Sequence, residues 1–314
     1  MQLIRPDLNY DFMGKRKLAM MASALIILIS IGTLLGKGLN LGIDFTGGTL
    51  VEVKFTQAPD IADVRNALIP AGYGQAVIQE FGTPNEILIR VQNMEAEESA
   101  TISNAVLDAL RGQFSADAVE MRRVEFVGPQ VGEELTKAGI EAVLIAMLAI
   151  LAYVTIRFQF RFALGADAAL FHDIIIVMGV FAITGKEFSL PVIAAILAII
   201  GYSLNDTIVV FDRIRENFEA NRKRKTPESE IRVANDSLNQ TLARTLMTSL
   251  TTLLVVIALF LLGGEVIHDF AFTLIVGILV GTYSSIYIAS PVMLSLEGRF
   301  QTSEADLAAE EARP

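Results

Sequence analysis

Six long runs of apolar side chains constrain this chain more than any other feature. They fall at 18–35, 138–156, 163–184, 189–210, 245–262 and 270–294. Each has the roughly 18 or more residues that a helix needs to cross a hydrocarbon layer about 30 Å thick. Inside such a layer the backbone finds no water to bond, so helices are the expected form. Composition agrees: 53% of the 314 residues are hydrophobic, 19% are charged and mean hydropathy is +0.51, unusual for a soluble domain. Lys15, Arg16 and Lys17 precede the first run much as they would in a signal peptide, but no small-x-small cleavage site precedes a mature domain. The first run is expected to be retained as a span.

Basic residues resist translocation, and their placement predicts the topology. With a cytoplasmic N-terminus, the inside segments carry Arg5, Lys15, Arg16, Lys17, Arg157, Arg161, a basic loop from Arg213 to Arg244, and Arg299 and Arg313. The short outside loops hold only Lys186. The expected organisation is a cytoplasmic segment 1–17, a first span 18–36, an external domain 37–137 and five further spans within 138–296. A cytoplasmic loop 213–243 interrupts those spans, and an acidic cytoplasmic tail 297–314 follows them.

A net charge of −10 gives no reason to expect a nucleic-acid partner, and the acidic run 304–311 reads as a solvated end. The absence of cysteine excludes a disulfide framework, thiol chemistry and a thiolate metal site. No catalytic residues, no metal site and no cofactor are expected.

The external segment alternates apolar and polar residues at 49–56 and 86–92, and more loosely at 75–81 and 119–126, as half-buried strands do. Between them 60–68 and 97–110 have helical spacing, with Asp60 a natural N-cap and Glu95, Glu97 and Glu98 favourable near a helix start. The order is βαββαβ, a ferredoxin-like α+β pattern. With no His, no triad and no phosphate-binding glycine loop in it, this domain is expected to contact polypeptide and to do no chemistry. Glycines mark both of its ends. Gly42, Asp44, Phe45, Thr46, Gly47 and Gly48 form either a tight turn, with Asp44 capping it, or a hinge on which the domain swings.

Asn205 and Asp206 stand at the cytoplasmic end of the fourth run. Asp206 lies roughly 25 Å into a core of about 30 Å, where an acid is costly and usually faces protein or water. Arg244, Thr248, Thr251 and Thr252 form one polar stripe at the start of the fifth run, at comparable depth. A nearby arginine favours the ionised carboxylate and burial the protonated one, opposing pulls that can let an acid take and release a proton. A permanent Asp206–Arg244 ion pair that only fixes helix packing is the competing reading. His172 and Asp173 lie near the middle of the third run and read equally as a proton relay or as a hydrogen-bonded packing contact. Asp167, Glu141 and Asp212 lie closer to span ends, where interfacial solvation accounts for them. Gly277, Gly281, Ser284 and Ser285 form a small-residue stripe in the sixth run that lets helix backbones approach closely. Residues 231–242 read as an amphipathic helix beside the basic cluster Arg222, Lys223, Arg224 and Lys225, which anionic headgroups would attract.

Four stretches carry a family resemblance: GIDFTGGT after the first run, GPQVGEEL before the second, GYSLNDTIVVFDRIREN closing the fourth and GTYSSIYIASP in the sixth. In order and position they resemble the SecF family, the smaller membrane subunits of the bacterial SecD–SecF accessory to the Sec translocon, over about residues 10–299. The resemblance implies a resistance-nodulation-division fold in which SecD supplies the other six-span half. It also implies an inner-membrane location with the domain in the periplasm. The implied task is the late translocation of preproteins, driven by the proton motive force. The implied partners are SecD, the SecYEG translocon, the translocating preproteins and the lipid bilayer, with YajC and YidC as further candidates. It associates the fourth-span aspartate and an arginine near the start of the fifth span with proton use, which here fall on Asp206 and Arg244. A stand-alone proton-coupled small-molecule exporter of the same superfamily and a non-transporting membrane scaffold are the alternatives.

Overall fold

The computed structural model describes residues 9–92 and 99–296. Arg5, Arg299, Arg313, the glutamates Glu95, Glu97 and Glu98, and the acidic tail therefore lie outside the described residues.

Among the described residues six helices are long and apolar enough to span: α1 (Arg16–Gly36), α5 (Pro129–Arg157), α6 (Phe160–Thr184), α7 (Leu190–Arg222), α8 (Glu230–Leu262), and α9 (His268–Ser284), which runs on through a π-turn at Ser285–Ala289 into α10 (Ser290–Ser295). Each contains the greater part of an apolar run. Local signals set several of their ends: Pro129 opens α5 at the first turn, where its missing N–H costs nothing. Gly185, at φ 70°, closes α6 in the left-handed conformation.

The bundle is built on α6, α7 and α9, which are the most enclosed, while α1, α5 and α8 turn most of their side chains outward. Phe162 and Phe211 meet edge to face at 5.1 Å, beside Ala166, Ile214 and Met293. Gly179 of α6 lies directly against Ser30 of α1. Outward apolar residues need no protein partner in lipid.

Residues 231–242 are helical, as their spacing predicts. They are the first turns of α8, and they pack on the extended end of α7: Asn217 donates to Ser237 Oγ at 2.8 Å, and Phe218, Val233 and Leu238 share one core. The outer face of this hairpin also holds the N-terminal segment. Asn235 accepts from the Phe12 N–H at 2.8 Å and Asn239 from the Tyr10 N–H at 2.8 Å. The apolar face of 231–242 is thus buried by protein, which removes the reason for it to seek lipid.

Between α1 and α5 the chain forms β2 (Gly48–Phe55), α3 (Ile61–Leu68), β3 (Val77–Phe81), β4 (Thr83–Val91), α4 (Ser99–Phe114) and β5 (Val119–Val127). The strands pair antiparallel in the order β3-β4-β2-β5. Asp60 caps α3 by accepting from the Ala62 N–H at 2.8 Å. Because side chains alternate across a strand, Val51, Val53, Ile87 and Ile89 point to α3 and α4, where they bury Val64, Leu68, Ile102 and Val106. Leu50, Leu88 and Arg90 point the other way, toward the membrane helices.

That second face is where the sheet docks. Asn40–Leu41 (β1) pairs in parallel with Glu187–Phe188 (β6), the connection between α6 and α7. The segment Gly42 to Gly48 then forms a single turn, α2 (Ile43–Thr46), wedged between the sheet and α5. Asp44 accepts from the Leu190 N–H at 2.8 Å, so it caps α7 and not its own turn. Gly47 and Gly48 have φ of 67° and 122°, and a side chain on Gly48 would strike the Val91 carbonyl. Both glycines are required where they stand, and the stretch is a packed joint.

Arg90, 5% exposed, completes the joint. It donates to Leu41 O at 2.7 Å, Asn40 Oδ1 at 2.9 Å and Gln79 Oε1 at 3.1 Å, and lies 3.7 Å from Glu187 Oε1. Burial pushes the Glu187 carboxyl above its ordinary value of 4.5; Arg90 pulls it down, while Asp269, Asp44 and Glu125 push it further up. The folded chain therefore holds this proton more tightly than the unfolded chain, and ionising Glu187 costs stability as pH rises above 4.5. Glu187→Gln is expected to remove that cost. Its thermal midpoint, measured against the native chain from pH about 4 to about 8, should gain steadily on the native value, whereas a constant offset would mean that Glu187 titrates as an exposed acid does.

Candidate functional site

The polar side chains that the apolar bundle must accommodate gather where α6, α7, α8 and α9 meet. Asp206 on α7 is 5% exposed. Thr245 of α8 and Ser285 of the π-turn lie close to its carboxyl group, and Arg244 is the positive charge that acts on it. Its Oδ2 nonetheless has no hydrogen-bond partner, and neither does the buried hydroxyl of Thr245. Ser285 is committed elsewhere, to Thr207 Oγ1 at 2.9 Å and Gly281 O at 3.0 Å. A buried carboxyl oxygen without a donor is costly; the group needs either a donor or a proton.

Arg244 and Asn205 do not close on it. Both are exposed on the outer faces of α8 and α7, and among the described residues Arg244 forms no ion pair with Asp206. Thr248, Thr251 and Thr252 spend their hydroxyls on carbonyls of their own helix, those of Arg244, Met247 and Thr248. Asp206 is thus buried, while Asn205 on α7 and the α8 strip of Arg244, Thr248 and Thr251 are exposed.

His172 and Asp173 form a second, better-satisfied cluster. Asp173, 1% exposed, accepts from Ser203 at 2.7 Å and Ser284 at 2.9 Å through Oδ2, and its Oδ1 lies 2.9 Å from His172 Nδ1. The imidazole stacks on Tyr283, whose hydroxyl donates to Ala19 O at 2.9 Å, and His172 Nε2 is buried without a partner. Asp173 thereby ties α6 to α7 and α9.

The small-residue stripe makes this possible. Gly277 lies directly on Ile199, and a side chain on Gly281 would meet Ser203 and, at 3.5 Å, Asp173 Oδ2. The glycines of the stripe therefore pack against α7. Ser284 and Ser285, neighbours in sequence, serve Asp173 and Thr207 respectively, just where the helix passes into its π-turn. A π-turn widens the helix by one residue per turn and is frequent at functional sites.

Three participants were not singled out from the sequence. Ser203 stands one turn before Asp206, and Thr245 follows Arg244, so spacing could have suggested both. Tyr283 adjoins the stripe. Asp167, set aside as interfacial, has Oδ1 buried without a partner. Of its companions, Asp212 does bond at the surface, to Arg215 at 3.1 Å, and Glu141 lies 3.9 Å from Lys137.

Residues 106–299 match the family described as protein export membrane protein SecD/SecF, C-terminal, and residues 32–59 match the SecD/SecF GG motif. Six spans, an intervening α/β unit and buried carboxyls on the third and fourth spans thus go with a protein-export membrane component of the SecD/SecF class. A protein translocase subunit SecF from Magnetococcus marinus is 52% identical over 99% of both chains, and one from Vibrio alginolyticus is 48% identical over 94% of this chain and 92% of its own. The chain belongs to the SecF family. The crystal structure of SecDF from Thermus thermophilus, a translocon-associated membrane protein, aligns with TM-score 0.82 and 38% identity over 95% of this chain and 40% of that longer one. SecDF in its super-membrane-facing form aligns at 0.68 with the same 38% identity, over 99% of this chain and 41% of that one.

Removing the Asp173 carboxyl is a direct test of its tying role. Asp173→Leu strands the Ser203 hydroxyl and His172 Nδ1 at about 1–3 kcal/mol per group, and the thermal midpoint of the purified chain should fall by several degrees. Asn205→Leu should leave that midpoint unchanged.

Proposed function

We propose that this chain is the SecF-like half of a SecD–SecF unit that uses the proton gradient to help preproteins finish crossing the inner membrane, with Asp206 as its proton-exchanging group. It is a transport component and not an enzyme. The observation that carries the reading is a buried Asp206 whose Oδ2 lacks a donor while Arg244 and Asn205 stand exposed beside it. A second six-span half packed on that strip would bring Asn205 and Arg244 out of lipid and close the pocket around the carboxyl. Relative motion of the halves then changes the distance between Arg244 and Asp206, and with it the carboxyl's affinity for a proton. His172 and Asp173 serve as the packed floor of this site.

The α/β unit is read as a ferredoxin-like periplasmic domain, with both termini in the cytoplasm. The strand order β3-β4-β2-β5 and the basic residues near α5, α6, α7 and α8 support this. Helix motion reaches the domain through the joint at Asp44, Gly47, Gly48 and Arg90, because Asp44 caps the very helix that carries Asp206. Gly42, Phe45 and Thr46 move with it. The SecYEG translocon is the partner whose emerging chain the domain would hold, with YajC and YidC as possible neighbours in the same assembly.

Asp206→Asn preserves shape and removes the titrating group. Export of a pulse-labelled secretory precursor, in cells where the variant replaces the native chain at equal abundance and equal SecD association, should slow to the level of a deletion. Normal export would make Asp206 a packing residue.

A further inference from the structure

We propose that a pocket between the start of α6 and the far end of α7 binds the phosphoryl group of an anionic lipid headgroup. The cavity, about 70 Å³, is lined by Gln159, Arg161, Arg215, Glu219 and Arg222 together with two phenylalanines. Three arginines line it, and the chain's own hydrogen bonds do not use up their donors. Arg161, 3% exposed, donates Nε to Gln159 at 3.2 Å and Nη1 to Glu230 at 3.0 Å, leaving Nη2 unused. Arg215 gives Nη2 to Asp212 at 3.1 Å, but its Nε is buried without a hydrogen bond, the Glu219 carboxylate lying 4.0 Å away. Arg222 is exposed and has no ion-pair partner among the described residues.

Two further observations aim this set at an anion. Helix α6 begins here without a side-chain cap, so its first-turn N–H groups add positive potential. Arg161 is held between Phe162 and Phe218, its guanidinium carbon 5.4 Å from each ring centre, which fixes the orientation of its unused Nη2 donor. Glu219 opposes an anion, but its side chain is 65% exposed and can turn to solvent.

Phosphoryl groups come from lipid or from solution, and the surroundings favour lipid. Tyr153, Ile156 and Phe160, at the adjoining end of α5 and start of α6, are 52, 87 and 41% exposed, an apolar surface on which acyl chains can run while the headgroup enters the pocket. Basic pockets between span ends suit anionic headgroups in this way. The site is separate from the exposed Lys223, Arg224 and Lys225, which line no part of the cavity, and it does not depend on which side of the membrane it faces.

The test is native mass spectrometry of the full chain, purified in mild detergent and titrated with phosphatidylglycerol or phosphatidylcholine. One phosphatidylglycerol should be retained in preference to phosphatidylcholine. Arg215→Gln and Arg222→Gln should each weaken that retention about tenfold, the effect of losing one charge-assisted hydrogen bond. Arg222 is exposed and unpaired, so its replacement leaves the fold intact. Lys223→Gln and Lys225→Gln remove the same charge outside the cavity and should change nothing. Equal losses in both sets would reduce the effect to diffuse attraction and overturn the proposal, as would retention unaffected by either arginine. Displacement of the lipid by inorganic phosphate at matching concentration would also overturn it, by making the pocket a site for free anions.

Discussion

A carboxyl group shut inside an apolar helix bundle is the constraint around which the membrane half is arranged. Two such groups in one bundle are handled in opposite ways. Asp173 is given two serine hydroxyls and an imidazole, and the reward is a tie among α6, α7 and α9. Asp206, one turn from Ser203 on the same helix, keeps an oxygen unpartnered. Both carboxyls depend on α9 lying close against α7, which the glycines at 277 and 281 permit. The satisfied acid holds the frame, and the unsatisfied one carries the cost of an unpaired buried oxygen.

The same economy governs the joint between the sheet and the spans. A four-stranded sheet with helices on one face leaves a second face that must be covered, and here the chain's own β1, α2 and β6 cover it. Arg90 reads backbone and side chains from two of these elements, and Asp44 caps α7. Short, directional hydrogen bonds thus tie this joint to α7 at Leu190 and to β1.

The six spans were legible because a bilayer-length apolar run has few other uses, and the strands because period-2 alternation survives in a half-buried sheet. Other features were hidden for physical reasons. The turn at Ile43–Thr46 is too short to have a period, and Asp44 finds its partner 146 positions away at Leu190, so a local cap was the natural reading. The long extensions of α7 and α8 lie beyond the apolar runs, where hydropathy no longer reports and only tertiary packing fixes them. Residues 231–242 showed a true amphipathic pattern, but pattern alone does not say whether lipid or protein covers the apolar face. Arg244 could be placed at the depth of Asp206 from spacing, yet the face on which it projects depends on how α8 packs against α7 and α9.

The central claim is that Asp206 gains and loses a proton as the two halves move. Infrared difference spectroscopy of the chain with SecD in lipid vesicles reads this directly through the carboxyl C=O stretch. The account requires a protonated-carboxyl band that changes intensity when a proton gradient is imposed and that disappears in Asp206→Asn. A band that stays constant under the gradient, or one that persists in the variant, would contradict it.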